Sequence, residues 1–413
     1  MRNSFSKVPN YRGAYLIFCL SLITLPINTS LSGIARLSDI FIIITVAAIA
    51  STNPDFKKTS VIIFSAFYIV LLSSDLLQSS LHKIRYKGVV FYYKYSLLFI
   101  IPYIVSQIII SRNRLLFLVK ILYSVYLFLV LWVFIYYVLR VNGLIQGNPR
   151  VSYPSTDYHM SDAHVYSSYL SFTFVAYFEY FRKVLNHGTI ISALVLVFSV
   201  SALILTGSKT GILVLLIYLS VLIIKFMKYM KKFSIKYFIV ISIAVSIMSF
   251  IVAHNKLEMK DVETMYMRSV TVNLNDNSIT SRYNYFINAV DEIGGKLLLI
   301  GNGPTGAKQK WYDGGISIIL AHGGLLGLLL LLSYIYMLFI NSKKYSYYRH
   351  NYRLHRVFTI LLFIYFILSV ITEHYLITRN ILPAATVLSV IYANIKLNYI
   401  ESSMNVKPLD ILK

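Results

Sequence analysis

The sequence is poor in charged side chains. Only 13% of its 413 residues are Asp, Glu, Lys or Arg, whereas soluble chains carry roughly a quarter. Apolar runs of about 20 residues, each long enough to cross a bilayer, recur along the whole length, and the mean hydropathy is +0.67. These features exclude an ordinary soluble domain and predict an all-α polytopic membrane protein.

Cysteine is nearly absent as well. The single cysteine, Cys19, lies in the first apolar run, so no disulfide can form within the chain and packing must hold the external loops. No group of Cys and His residues has the spacing of a metal site, and we expect neither a metal nor a cofactor. The first apolar run, from Ala14, leads directly into a second and lacks a small-residue cleavage pattern, so we expect a span rather than a cleaved signal peptide.

Acidic residues are scarce relative to basic ones. The chain has 39 Lys and Arg against 16 Asp and Glu, a formal net charge of +23. In a soluble protein this balance would indicate nucleic acid, but here the basic residues collect in short loops on one side of the apolar runs, although segment 82–88 runs against the pattern. We therefore expect both termini to be cytoplasmic and nucleic acid not to be a partner.

The apolar runs predict about twelve transmembrane helices in a single membrane domain of residues 1–413, without an internal repeat. We place them at Ala14–Leu31, Ile34–Ala50, Ser60–Leu77, Val89–Ile110, Leu115–Leu139, His164–Phe181, Thr189–Leu205, Gly211–Ile224, Tyr237–Ala253, Ile316–Ile340, Val357–Ile371 and Ile381–Ile395.

One large external loop, 254–315, is predicted to contain short helices. Within its segment 281–295 the apolar side chains of Tyr283, Phe286, Ile287 and Val290 recur at helical spacing. We expect that face to pack on the membrane domain.

Three cations on the outer side, Arg150, Lys209 and Arg282, each lie close to a span end. Lys209 stands in "ILTGSKTGILVLL" (204–216), a short polar hairpin between apolar runs. An isolated cation near a span end can be explained without a substrate, because its long side chain can extend to the lipid headgroups. Arg282 lies in the first turn of a predicted helix, where the helix dipole disfavours a cation, and this indicates an anionic partner.

The stretch "DGGISIILAHGGLLGLLLLL" (313–332) places ionisable groups at a span. Asp313 lies at the outer mouth and His322 about 13 Å deeper. The glycines at 323–327 allow a helix or a lipid-like substrate to approach closely. His322 is either catalytic or hydrogen-bonded to a neighbouring helix, and His164, at the start of another span, has the same two interpretations.

Two segments resemble nucleotide-binding motifs but do not match them. "GSKT" (207–210) lacks the glycines that a P-loop requires, and "GNGPTG" (301–306) contains Pro304 and has no βαβ context. We expect the second segment to form a tight turn that re-enters the membrane. Outward cations beside a carboxylate or a histidine suit a different chemistry, in which a pyrophosphate is bound and a hydroxyl loses its proton.

Four segments resemble those of the bacterial O-antigen and capsular polysaccharide polymerases (the Wzy family), which are related to the O-antigen ligases. "LTGSKTG" resembles the family's outer hairpin, and "SRYNYFINAVDEIGGKLLLIGNGPTG" resembles its Arg-led helix followed by Gly-x-Gly. "DGGISIILAHGGLLG" resembles its segment that starts with His or Asp, and "NPRVSYPSTDYHMSDAHVYSSYL" resembles an earlier outer loop. The chain departs from the pattern at Lys209, where the family usually has Arg, and at Asp313, where the ligases have His.

The resemblance implies a fold like that of the C-type glycosyltransferases and a polymerase of the bacterial inner membrane. Such an enzyme transfers a glycan chain from undecaprenyl pyrophosphate to a hydroxyl of the next lipid-linked repeat unit. Lys209, Arg282 and Arg150 would bind the pyrophosphate, Asp313 or His322 would be the base, and His164 would contact substrate.

The implied partners are the lipid-linked donor and acceptor, membrane lipids and a chain-length regulator protein, with no metal or cofactor. Three alternatives remain open: an O-antigen ligase, a flippase for lipid-linked repeat units, and a receptor or structural protein without chemistry. The long external loop and the missing internal repeat count against the flippase.

Overall fold

The computed structural model describes residues 11–26, 37–51, 58–79, 87–144, 151, 154, 163–206, 208–227, 284, 286–291, 298–306, 315–346, 349–371 and 378–405. Every regular element within these ranges is helical. The predicted span Tyr237–Ala253 and most of the external loop lie outside them. The prediction of an all-α membrane protein is confirmed for the described part, and twelve spans and the C-type glycosyltransferase-like fold stay predictions.

The helices follow the apolar runs closely. In chain order they are α1 (Arg12–Thr24), α2 (Leu37–Ala50), α3 (Lys58–Ser79), α4 (Lys87–Ile108), α5 (Arg112–Val141), α6 (Ala163–Ala176), a π-helical turn (Tyr177–Phe181), α7 (Arg182–Val184), α8 (Thr189–Leu205), α9 (Lys209–Met227), α10 (Gly303–Gly306), α11 (Gly315–Lys344), α12 (Arg349–Ile371) and α13 (Thr378–Asn405).

The first helix is shorter than predicted. The apolar run suggested a span to Leu31, but α1 ends at Thr24, and Leu25 and Pro26 form a turn. Pro26 has no N–H to continue the helical ladder, and its ring would clash with the preceding turn. By contrast, α8 begins and ends at the residues predicted from the sequence.

Three of the described helices are long and apolar enough to cross a membrane, namely Arg112–Arg140, Gly315–Lys344 and Asn351–Leu368. Four shorter described helices are also apolar, namely Arg12–Thr24, Leu37–Ile49, Ser65–Leu76 and Thr189–Leu205. On α3, large apolar side chains face outward, with Ile62 65% and Leu76 69% exposed. Such side chains would be unfavourable in water and suit the acyl chains of a bilayer.

The predicted helix within the 254–315 loop is formed in its described part, residues 286–291, and of the expected packing face Val290 is half-buried while Tyr283 lies outside the described residues. Ala289 is fully buried, whereas Phe286 is 39% and Ile287 36% exposed. The most buried described position of this helix is therefore Ala289, not a residue of the predicted apolar face.

A polar network ties several helices together at one end of the bundle. Arg112, the first residue of α5, forms a salt bridge of 2.9 Å with Glu401 near the end of α13, and it also donates to Asn394 and Asn398. Asn394 Nδ2 in turn donates to the hydroxyl of Tyr180, in the π-helical turn, at 3.0 Å. The start of α5, the end of α6 and the last part of α13 therefore meet here.

The neighbouring helices join the same end. Ser342 Oγ, near the end of α11, lies 2.8 Å from His355 Nδ1 in the first part of α12. Asn351 Nδ2, in the first turn of α12, donates to the carbonyl oxygen of Ile395 at 3.2 Å. Because α6 and α11 both end here, both begin at the opposite end of the bundle. That opposite end contains the predicted site residues His164 and His322.

Candidate functional site

The structure describes the predicted site residues unequally. His322 is described completely. Lys209 and His164 have described backbones at the starts of α9 and α6. The remaining three, Arg150, Arg282 and Asp313, lie outside the described residues, so their roles stay predictions.

Lys209 stands at a tight helix reversal, as the sequence predicts. Helix α8 ends at Leu205 and α9 begins at Lys209, which leaves only residues 206–208 between them. The Thr206 hydroxyl donates to Leu203 O at 2.7 Å, and the Tyr137 hydroxyl of α5 donates to Leu205 O at 2.7 Å. These bonds anchor the end of α8, because they satisfy both a buried hydroxyl and carbonyl groups at a helix end.

The start of α6 packs against the start of α9. A Cβ at Gly211 would overlap Ser167 Oγ, so a larger residue here would require the Ser167 side chain to move. His164 precedes Ser167 by three residues and Lys209 precedes Gly211 by two, and both helices run in the same direction from this end. The structure therefore brings the backbones of two predicted substrate-binding residues to neighbouring helix starts.

His322 lies inside the protein rather than on an open surface. Its side chain is 3% exposed, and its Nδ1 atom is 3.0 Å from the Tyr95 hydroxyl of α4. The two rings meet edge to face, with centroids 6.1 Å apart. This is the hydrogen bond to a neighbouring helix that the sequence left open as one interpretation.

Just beyond His322, helix α11 is broken at Gly324, which has φ 58° and ψ −158°. This conformation is readily available only to glycine. The two N–H groups that follow the break donate outside the helix, Leu325 to Leu298 O at 3.0 Å and Leu326 to Leu299 O at 2.9 Å. Leu298 and Leu299 thus supply hydrogen-bond acceptors that the broken helix does not.

The segment that fills the break, residues 298–303, is called the strap below. It returns a hydrogen bond to the helix, since Asn302 N–H donates to Ala321 O at 2.8 Å. Its contact is backbone on backbone: a Cβ at Gly301 would lie 2.6 Å from the Gly324 nitrogen. "GNGPTG" therefore forms a tight turn against the membrane domain, with Gly301 at φ 72° and Gly303 at φ 74°.

Helix α3 holds the other side of the strap. The Ser74 hydroxyl donates to Ile300 O. A Cβ at Gly303 would overlap the Asp75 side chain and would lie 2.7 Å from the Asp75 nitrogen. The Tyr92 hydroxyl of α4 donates to the Asp75 carboxylate.

Sequence reasoning missed the residues on α3 and α4. Within "YYKY" (92–95), Tyr92 donates to Asp75, Tyr93 donates to Asp39 at 3.1 Å, and Tyr95 contacts His322. The available signal was Asp75 itself, because a carboxylate inside a predicted span indicates a functional role.

The glycines of α11 confirm a close helix approach. Gly323 packs against the Leu71 side chain, with a Cβ position 3.4 Å away, and Gly327 packs near Phe67 at 4.0 Å. Their neighbour is thus α3, which runs antiparallel to α11. Gly323 and Gly327 form the small-xxx-small spacing found where membrane helices pack closely.

Substitution of the two glycines at the break should destabilise the protein. Gly301→Ala and Gly324→Ala each place a methyl group against backbone atoms and force alanine to a positive φ, a conformational cost of about 1–3 kcal/mol before any steric term. We expect a lower melting temperature in detergent for both variants. Gly13→Ala is the control, since nothing lies within 4 Å of its Cβ position, and it should melt at or above the wild-type temperature. Wild-type melting of Gly324→Ala would contradict the strap contact.

A comparison with known families now connects these segments. A family model described as O-antigen ligase (Wzy_C) matches residues 194–320, which include Lys209, Arg282 and Asp313. The predicted relationship to the O-antigen polymerases and ligases is confirmed by this match. No curated protein matches the chain. The match and the apolar helices support a multi-pass membrane enzyme related to polysaccharide synthesis.

Proposed function

We propose that this protein, whose residues 194–320 match the O-antigen ligase family model, is a polysaccharide polymerase. It transfers a glycan chain from undecaprenyl pyrophosphate to a hydroxyl of the next lipid-linked repeat unit, at the outer face of the bacterial inner membrane. The observation that carries the proposal is the family match, because it spans the hairpin with Lys209, the helix with Arg282 and the span entrance with Asp313.

The distribution of charge supports the orientation. Basic residues mark the end of the bundle that contains the Arg112 network, including Arg114, Arg182, Lys183 and Lys343. By the positive-inside rule this end is cytoplasmic. The starts of α6, α9 and α11 then lie at the outer face, where a polyprenyl pyrophosphate has its headgroup, and both termini are cytoplasmic.

The position of Lys209 suits a pyrophosphate. It is the first residue of the 19-residue helix α9, where the helix dipole and the free N–H groups of the first turn disfavour a cation and favour an anion. A lysine at this place is unfavourable by itself and becomes favourable when a phosphate binds between the ammonium group and the helix terminus.

The reaction exchanges one bond at the anomeric carbon of the donor glycan. The acceptor hydroxyl oxygen bonds to that carbon, the bond from the carbon to the pyrophosphate oxygen breaks, and Asp313 takes the hydroxyl proton. Undecaprenyl pyrophosphate leaves with the bonding electrons. Lys209, Arg282 and Arg150 stabilise the charge that develops on it, since charge-assisted hydrogen bonds are about twice as strong as neutral ones.

An O-antigen ligase is the second candidate, because the matching family model has that description. A ligase uses the same donor and the same leaving group, and it differs in the acceptor, which is the lipid A core. Asp313, at the position where the resemblance gives the ligases His, favours the polymerase. A chain-length regulator would be a partner of the polymerase.

Deletion of the gene, followed by a gel of surface glycan, tests the proposal. We expect surface glycan of one repeat unit, because ligation continues without polymerisation. Retention of lipid-linked polymer in the membrane would indicate a ligase instead. Accumulation of lipid-linked repeat units on the cytoplasmic face would indicate a flippase.

A further inference from the structure

We infer that Asp75 is a positioning residue for the transfer reaction, acting through the strap that leads to Asp313. The inference rests on the proposed function. Neither the sequence patterns nor the family match, which begins at residue 194, assigns a role to α3.

Asp75 lies inside α3, within a predicted span, and is half-buried. An ionisable group at such a position is unfavourable unless it is paired. The hydroxyl of Tyr92 donates to its carboxylate, and the same hydroxyl is 3.0 Å from Leu71 O. The tyrosine thus fixes the carboxylate at the outer end of α3.

The carboxylate fixed in this way lies against Gly303, the last residue of the strap. The Asp75 side chain occupies the space that a Cβ at Gly303 would need. Ser74, the preceding residue, donates to Ile300 O. Two consecutive side chains of α3 therefore hold the second half of the strap.

Helix α11 holds most of the strap. Leu298 and Leu299 accept hydrogen bonds from α11, and Asn302 N–H donates to Ala321 O. Gly303, which follows the last of these bonds, packs against Asp75. Asp313 comes ten positions after Gly303 in the sequence, and α11 begins at Gly315. Loss of the Asp75 contact should loosen the end of the strap that leads to Asp313, while Leu298, Leu299 and Asn302 stay attached to α11.

The consequence is a selective effect on turnover. In vitro polymerisation by Asp75→Ala should show kcat reduced by about 10- to 100-fold, the range for a small misplacement of a catalytic group. The KM for the lipid-linked donor should stay within about twofold, because neither Asp75 nor the strap is among the residues proposed to bind the pyrophosphate. Asp75→Asn keeps an oxygen acceptor for Tyr92 and the same shape, and it should restore most of the turnover.

Asp39→Ala is the matched control. Asp39 also accepts a hydrogen bond from a tyrosine of α4, Tyr93 at 3.1 Å, but it lies on α2, whereas the strap contacts described above are with α3 and α11. This variant should retain normal kcat. Membrane abundance and melting temperature in detergent are measured for all variants, so that a folding defect is separated from a kinetic one.

A double-mutant cycle tests the route of the effect. If Asp75 acts through the strap, Asp75→Ala should add little to the loss caused by Gly303→Ala, because the two changes disrupt one contact. If the reductions in kcat of the two single variants multiply in the double variant, the inference is wrong. Equal inactivity of Asp75→Asn and Asp75→Ala would overturn it too, since it would make the charge itself essential, and so would normal kcat in Asp75→Ala. Each of these results leaves the wild-type polymerase activity, and hence the proposed function, unaffected.

Discussion

Lys209→Ala is expected to abolish polymer synthesis without lowering the amount of protein in the membrane. The alanine preserves the helix start and removes the ammonium group at the terminus of α9, where the donor pyrophosphate is proposed to bind. Arg282→Ala should have the same effect. Lys209→Arg should retain activity, since it keeps the charge and adds the bidentate geometry that guanidinium offers to phosphate.

Lys120 provides a control for a cation on a spanning helix. Its side chain on α5 is exposed, and we expect it to extend toward the headgroups. Lys120→Ala should therefore make normal polymer. If Lys209→Ala also makes normal polymer, Lys209 is another such headgroup cation and the pyrophosphate clamp is wrong.

The second large effect is expected at Asp313. Asp313→Asn retains the shape of the side chain and removes its basicity, so it should eliminate polymer while donor binding persists. Proton removal by an ordinary carboxylate is inefficient near pH 7, so this role requires a raised pKa or late proton transfer. Asp313→His should keep part of the activity, because the resemblance gives the ligases His at this position.

His322→Ala should be milder. The structure shows a buried side chain with a hydrogen bond to Tyr95, so its removal leaves a small cavity and an unpaired tyrosine hydroxyl, a loss of about 1–3 kcal/mol in stability. An inactive His322→Ala together with near-normal Asp313→Asn would transfer the role of base to His322. The acceptor would then bind deeper than proposed.

Local sequence patterns predicted the helices well, because long apolar runs bounded by polar residues leave few alternatives in a membrane. The bounds of α8 and the short reversal at Lys209 are examples, although α9 begins at Lys209 and not at the predicted Gly211. The glycine cluster at 323–327 correctly indicated a close backbone approach. Its partners, α3 and the strap, could not be identified, because they depend on contacts between distant parts of the chain.

The missed features are long-range pairings. The break at Gly324 is stabilised by Leu298 and Leu299, and nothing in the local sequence of α11 specifies those acceptors. Asp75 was visible as a carboxylate in a span, but its link to Gly303 requires the antiparallel packing of α3 and α11. On the helix at 286–291, spacing alone favoured the Phe286 face, whereas the fully buried side chain is that of Ala289.

The most direct test of the central claim is polymerisation by the purified protein with purified lipid-linked repeat units as the only substrates. The account predicts a ladder of longer lipid-linked glycans and the release of one undecaprenyl pyrophosphate for every glycosidic bond formed. Failure to extend the repeat units, combined with transfer of a supplied lipid-linked glycan to lipid A core, would contradict it and establish a ligase.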